Sequence, residues 1–562
     1  MEVESIVPVH AGASQLLAAL CDELGIERLV NEAVEWNPSY WKHSPGLHVK
    51  ALIINALCSR RPLYVIEEFY RDLDMPLLFG GQVEARDLND DVLGRTLDRL
   101  HEAESWKVYS SVSLSVLRKL ELPLDTLHSD TTSFSFQGDY ANTKNLKVTY
   151  GHNKDKRPDL KQVVIGLGVT PQRLPIAAKV EDGNLDDKTW NHAFITRLRS
   201  RLSDEEWSQL TYVADSALAT KDNLDLMMSK PRLQFITRLP DTFGLCAELK
   251  EEAFWRGTWE NVGPFGECDA KATYKVQSFS RNLYGYDLHF VVVHSDQLES
   301  LQTETLRRQL AKEHETVNKQ VERLQVVRFA CEHDARQAID EFKKQHKWKW
   351  HTCDFTVEAQ TAVRPRSKRG RPKADEVPQT ETQWLIVACG IRLQDETMID
   401  KTQKLGMFVL MTSHSKDEHW TGSKVLQTYK GQAAAETRFR LLKDPAFLDA
   451  MYLKHPHRIE ALGMVMVMAL LVYGVLEWRV REQLKQAANP LILPGRRKSF
   501  TPTAEMLLTL LQPIQVMICT TTQGQPSRVL SSRLDDNVKR VVELAGFDMA
   551  IYTSAPVGGT NR

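Results

Sequence analysis

The chain has 562 residues, 42% hydrophobic and 26% charged, with a formal net charge of −1. At ~150 residues per domain this length predicts about three or four structural units, and the balanced charge excludes a protein that is basic all over, so any nucleic-acid surface must be local. Eight cysteines without a CxxC pair or zinc spacing, and an acidic first segment with no apolar run behind it, predict reduced thiols in a cytoplasmic protein without a secretory signal.

Residues 1–120 show helical periodicity in ASQLLAALCDELGI, HVKALIINALCS, VIEEFYRDL, DVLGRTLDRL and WKVYSSVSLSVLRKL, which predicts a helical N-terminal domain. Asp87, Asn89 or Asp90 is placed to cap the fourth of these. From about Leu124 the pattern becomes alternating. TSFSF, VVIGLGV and RLPIAAKV predict three antiparallel strands; a helix over 190–202, the strand LTYVAD, a helix over 221–229 and the strand LQFITRL follow, through residue 239. Asp130, in TLHSDTTSFSF, and Asp215, closing LTYVAD, each accompany an apolar run that a sheet would bury. The basic loop at 151–162 reads either as a solvated hairpin loop or as a contact to the phosphate backbone.

Residues 240–421 are too long for a loop and must fold by themselves. They alternate strand patterns (ATYKVQSFS, YDLHFVVVHS, TCDFTVEAQ, TQWLIVACGI) with two charged helical runs, giving a mixed, β-rich insertion. HKWKWH, with Trp348 and Trp350, reads as an ordinary strand or as a base-stacking site. At 364–373 comes a basic segment containing KRGRPK, with Lys368, Arg369, Arg371 and Lys373. It looks like an AT-hook, whose Arg-Gly-Arg-Pro fits a narrow A·T-rich minor groove, or else is a basic linker; in both cases it attracts DNA.

Residues 429–443, YKGQAAAETRFRLLK, place Tyr429, Gln432, Glu436 and Lys443 at spacings of three, four and seven. On one continuous helix of about four turns they share a face with a carboxylate at its centre. Beyond Pro445, the 16-residue apolar run ALGMVMVMALLVYGVL falls short of the ~20 residues a membrane span needs and predicts a buried core helix with solvated, charged flanks. The stretch 422–485 would thus complete the core, and 486–562 forms a part-helical tail.

Three carboxylates on separate elements suit hard divalent cations. The spacing Y-x2-Q-x3-E-x6-K resembles the Y-x2-R-x3-E-x6-K signature of one branch of bacterial insertion-sequence DDE transposases, with Gln432 standing where the family has Arg. SDTTSFSFQGDY and YVADSAL resemble the segments carrying that family's two aspartates. The resemblance implies a mixed α/β fold, a ribonuclease-H-like catalytic core split by a β-rich insertion. It implies catalytic and metal-holding roles for Asp130, Asp215 and Glu436, with Mg2+ or Mn2+ as two ions, and DNA contacts from Tyr429, Gln432 and Lys443. It further implies DNA partners in the form of terminal inverted repeats and target DNA, a homodimer on DNA, and a nucleoid-associated bacterial setting without a membrane. Two other readings stand beside it: a ribonuclease-H-like nuclease without strand transfer, and a DNA-binding protein without catalysis.

Overall fold

The computed structural model describes residues 3–136, 140, 146–154, 157–264, 272–364, 377, 379–417, 419–442, 453, 455–521, 526–531 and 534–554. The fold is mixed α/β, in two compact units: Met1–Arg238 with Thr412–His414 and Gln427–Arg562, and Leu239–Met411 with Ser415–Leu426.

In the first unit, strand β1 (Val3–Val9) precedes the helices Ser14–Leu24, Ile26–Ala33, Pro45–Cys58, Asp90–Glu102 and Ser105–Lys119. Side-chain caps start two of them: Ser44 accepts the Leu47 N–H ahead of Pro45, and Asn89 accepts the Val92 N–H at 3.1 Å, which selects Asn89 among the three candidates. Helices Pro45–Cys58, Asp90–Glu102 and Ser105–Lys119 pack on the long helix Pro456–Gln486, whose apolar window is buried throughout, as a core helix requires. Of its expected solvated flanks, the two acids that bound the apolar run are buried. Glu460 is buried and accepts from Ser105 Oγ at 2.9 Å, and Glu477 is 3% exposed.

The sheet of this unit comprises β2 (Thr126–Phe136), β3 (Lys161–Val169), β4 (Pro175–Glu181), β5 (Thr211–Ala214) and β6 (Gln234–Arg238), in the order β4-β3-β2-β5-β6. β2, β3 and β4 are antiparallel, whereas β5 and β6 run parallel to β2. Three antiparallel strands extended by two parallel ones through helical crossovers make a ribonuclease-H-like sheet. Gly166 on β3 is required by packing, since a Cβ there would lie 2.0 Å from the indole of buried Trp190 on helix Asp187–Arg199.

The second unit contains an antiparallel meander of β7 (Glu260–Pro264), β8 (Thr273–Leu283) and β9 (Tyr286–Ser295). Helices Asp296–Gln325 and Glu332–Gln345 pack on a further sheet of β10 (Arg328–Phe329), β11 (His351–Val363) and β12 (Thr380–Leu393). Trp348 and Trp350 precede β11 in a bend and do not form an alternating strand. Trp350 is buried, and Trp348 packs beside Phe342 and donates its indole N–H to Gln320 at 2.7 Å, so the ordinary packing role holds without the strand. Strand β13 (Met407–Thr412) leads the chain back, and Thr412 Oγ1 donates to the Phe235 carbonyl of β6 at 2.6 Å.

After the long helix come β14 (Leu491–Leu493) and β15 (Arg497–Ser499), then β16 (Val516–Thr521) and β17 (Pro526–Leu530). β16 pairs antiparallel with β1, Val9 facing Val516, so the residues read as purely helical begin with a strand whose partner lies near the other end of the chain.

Candidate functional site

Two parallel strands set the first pair of acids side by side. β2 pairs with β5 as Thr126↔Thr211, Leu127↔Tyr212 and His128↔Val213, a constant offset (211 − 126 = 85) that puts Asp130 level with Asp215 on strands ~4.8 Å apart. β5 ends at Ala214 while β2 continues against β3, so both carboxylates lie where the parallel pairing stops. Asp130 Oδ1 accepts the Thr131 N–H at 2.7 Å and faces Lys154 Nζ at 3.4 Å. Asp215 Oδ1 accepts the Ala217 N–H at 3.1 Å and caps the turn Ser216–Leu218.

Asp187, the first residue of helix Asp187–Arg199, brings a further carboxylate. It accepts from Thr131 Oγ1, and its Oδ2 lies 3.6 Å from Lys154 Nζ. Burial pushes the Asp130 carboxyl above the usual range and the Asp187 charge adds to it, against Lys154 and the Thr131 N–H. The Asp215 carboxyl is likewise pushed up by burial first, then by Asp187 and Asp130. Nothing in the sequence marks Asp187, because an acid in a first helical turn behind a capping Asp186 is an ordinary helix start.

Glu436 comes from the first turn of helix Ala433–Leu442 and is exposed. With Asp130, Lys154, Arg173 and Arg440 it lines a cavity of about 810 Å³. Tyr429 joins the group electrostatically. Burial raises its phenol pKa, Asp215, Glu436 and Asp130 raise it further, and Arg238 opposes them, so one hydroxyl senses all three acids. Arg238, at the end of β6, carried no signal in the sequence.

The expected continuous helix is broken. Helix Gly422–Lys430 ends, Gly431 and Gln432 form a turn, and a new helix starts at Ala433. The cause is a close approach: a Cβ at Gly431 would lie 2.8 Å from Nε2 of His128, two residues before Asp130. Glycine permits the approach and weakens the helix there. Tyr429, Gln432 and Glu436 therefore do not share one helical face; Tyr429 precedes the turn, Gln432 lies in it and Glu436 follows it. Of the neighbouring cations, Arg440 is exposed on the cavity wall, whereas Arg438 is 1% exposed. Arg438 donates from Nε to the Arg173 carbonyl at 2.7 Å and pairs with buried Glu477 at 3.3 Å, so it anchors the helix. Lys443, Lys368, Arg369, Arg371 and Lys373 lie outside the described residues.

Among the described residues, no three His, Cys, Asp or Glu side chains are grouped closely enough to hold a metal ion. The donor set is nonetheless of a kind that a hard cation fits. Magnesium takes one or two protein carboxylates and fills its remaining positions with water or phosphate oxygens. Acids driven toward protonation by burial and by one another are relieved by a nearby positive charge, and the Lys154 ammonium supplies part of that relief here.

Residues 10–114 match a family model described as a domain of unknown function, DUF4277. No curated protein matches the chain. Among solved structures, the chain is similar to one titled as the cryo-EM structure of a piggyBac transposase synaptic complex with hairpin DNA, at 9% identity and a TM-score of 0.35, over 91% of this chain and 82% of that one. With a likeness of that extent, function has to come from the site's own chemistry.

Proposed function

We propose that this protein is a DDE transposase of an insertion sequence, which binds the terminal inverted repeats of its element, cleaves them and joins the freed 3′-OH to target DNA. The observation that carries the reading is the placement of Asp130 on β2 level with Asp215, the residue that follows the end of β5, with Glu436 on the wall of the cavity that Asp130 lines. Asp130, Asp215 and Glu436 would hold Mg2+ or Mn2+, which when bound acidifies the attacking water and stabilises the leaving oxygen of a phosphodiester.

The chain's own residues do the rest. Lys154 offsets the buried carboxylates and is displaced as a counter-charge when they take another cation. Tyr429 and Gln432 hold the scissile strand, the phenol as donor to a phosphate oxygen and the amide in place of the family's guanidinium, with less charge and no fork. Lys443 neutralises an adjacent phosphate. Lys368, Arg369, Arg371 and Lys373 contribute sequence-independent affinity for the backbone. Two DNA ends brought together call for a second copy of the chain, so the working form is a homodimer on DNA.

The test is magnesium-dependent nicking of a supercoiled plasmid, followed by joining of a 3′-OH oligonucleotide bearing the element's end. Glu436→Gln abolishes both and leaves binding of the ends within about twofold. Nicking without joining would reduce the protein to a nuclease, and neither activity in the wild-type chain would reduce it to a DNA binder.

A further inference from the structure

A second cavity, of about 230 Å³, lies among the N-terminal helices and is lined by Tyr40, Trp41, Lys42, His43, His48, Asp87, Asn89, Val92 and Arg95. Its chemistry turns on His48. The ring is 1% exposed and its Nε2 has no hydrogen-bond partner, an unusual state for a buried polar atom. We assign the Thr96 hydroxyl proton to the Val92 carbonyl at 3.2 Å, which makes the imidazole the donor in the 2.8 Å contact between His48 Nδ1 and Thr96 Oγ1. Nε2 is then a bare acceptor. Burial, with the charges of His43 and Arg95, lowers the imidazole pKa to about 4, so the ring stays neutral at physiological pH.

The other walls complement that acceptor. Tyr40 is 85% exposed and Trp41 stands with its ring centroid 6.0 Å from that of His48. Asp87, the acid lining the cavity, is engaged by Lys42 at 2.6 Å and by His43 at 2.9 Å. Arg95 is exposed and has no acidic partner among the described residues. Aromatic faces, a guanidinium and a buried acceptor that wants an N–H donor together match one nucleotide: a base to stack, a base edge to donate, and a phosphate for the cation.

We infer that this cavity receives a single unstacked base of a DNA strand, with Tyr40 and Trp41 stacking on it, His48 Nε2 accepting an N–H from its edge, and Arg95 binding its phosphate. The assignment rests on the DNA reading above for its partner, but it concerns a site that uses neither the three acids nor a metal. A base held there is fixed at one position along the strand, which sets register without reading a long sequence.

The test is binding of the full-length protein to a fluorescent single-stranded oligo-deoxyadenylate and to an abasic strand of equal length, in EDTA, with free dAMP as competitor. The base-bearing strand binds about tenfold or more tightly than the abasic one. Both Tyr40→Ala and His48→Phe remove that difference while leaving the affinity for the abasic strand unchanged. Tyr40 is a surface residue, so its variant decides the matter if His48→Phe does not fold. Equal affinity for the two strands, or an undiminished difference in Tyr40→Ala, overturns the inference. Full displacement by dAMP at concentrations comparable to the strand's own nucleotides overturns the DNA assignment in favour of a free nucleotide. Because the assay excludes metal, base-dependent binding in a protein that does not nick plasmid would sink the catalytic proposal and leave this one standing.

Discussion

Lys154 Nζ lies 3.4 Å from Asp130 Oδ1 and 3.6 Å from Asp187 Oδ2, an ammonium held between two carboxylates at the edge of the candidate site. A cation entering that site competes with it. Lys154→Ala is therefore expected to tighten Mn2+ binding roughly threefold to tenfold, a modest gain because the side chain is a third exposed and screened. Manganese titration followed by electron paramagnetic resonance measures this, and weaker binding in the variant would show that Lys154 supports the site and does not compete for it.

Asp215 gives a pH-dependent prediction. Its folded-state pKa is raised, so the charged form is disfavoured in the folded protein. The resulting destabilisation is fully present above the folded pKa and disappears below the unfolded value of ~4. Asp215→Asn keeps the turn-capping oxygen and removes the charge. Without divalent cation, its melting temperature at pH 7 should exceed that of the wild type by roughly 2–4 °C, the gain shrinking as the pH falls from the raised folded pKa and gone below ~4. Differential scanning calorimetry at both pH values checks it; a variant less stable at pH 7 refutes the account of the raised pKa.

Glu477 accepts from Arg438 at 3.3 Å, from Arg481 at 3.2 Å and from the Ala504 N–H at 3.2 Å, all at a buried position. Removing one partner of such a network leaves buried guanidinium charge without its counterion, so Glu477→Ala should cost ~3–5 kcal/mol in urea unfolding. A loss under ~1 kcal/mol would mean that water replaces the carboxylate.

Gly431→Ala should uncouple stability from activity. The new Cβ would sit 2.8 Å from His128 Nε2, which displaces the turn leading to Glu436 while leaving most of the core intact. The expected result is at least a tenfold loss of nicking with a small change in melting temperature, partly restored in Gly431→Ala/His128→Ala. Full activity in the single variant would show that the turn does not set the position of Glu436.

The basic segment predicts a salt effect. Replacing Lys368, Arg369, Arg371 and Lys373 with Ala should lower the slope of log affinity against log salt by up to ~0.9 for each phosphate that is no longer neutralised. Filter binding across 50–200 mM salt reads the slope, and an unchanged slope would mean that the segment does not touch DNA.

Local signals were legible in the sequence, and tertiary ones were not. The alternation in β2, β3 and β4 and the periodicity of the N-terminal helices announced those elements, because one buried face imposes a period. Strand β1 escaped notice because its only reason to be a strand is β16, some 500 residues away. The break at Gly431 depends on His128, and the inward turn of Arg438 depends on Glu477; pattern alone assigns both segments to a regular amphipathic helix. The side-by-side placement of Asp130 and Asp215 follows from a strand register that only the folded sheet defines, and Asp187 was hidden behind the commonplace look of a helix cap.

The pairing of β1 with β16 also orders events during synthesis. At ~5–20 residues per second, a ribosome needs roughly 25–100 s to travel from one strand to the other. The earliest strand must wait through that interval without its neighbour, and Glu436 reaches the sheet carrying Asp130 only after the whole second unit has been translated. The cavity lined by Asp130 and Glu436 is thus assembled only late in translation.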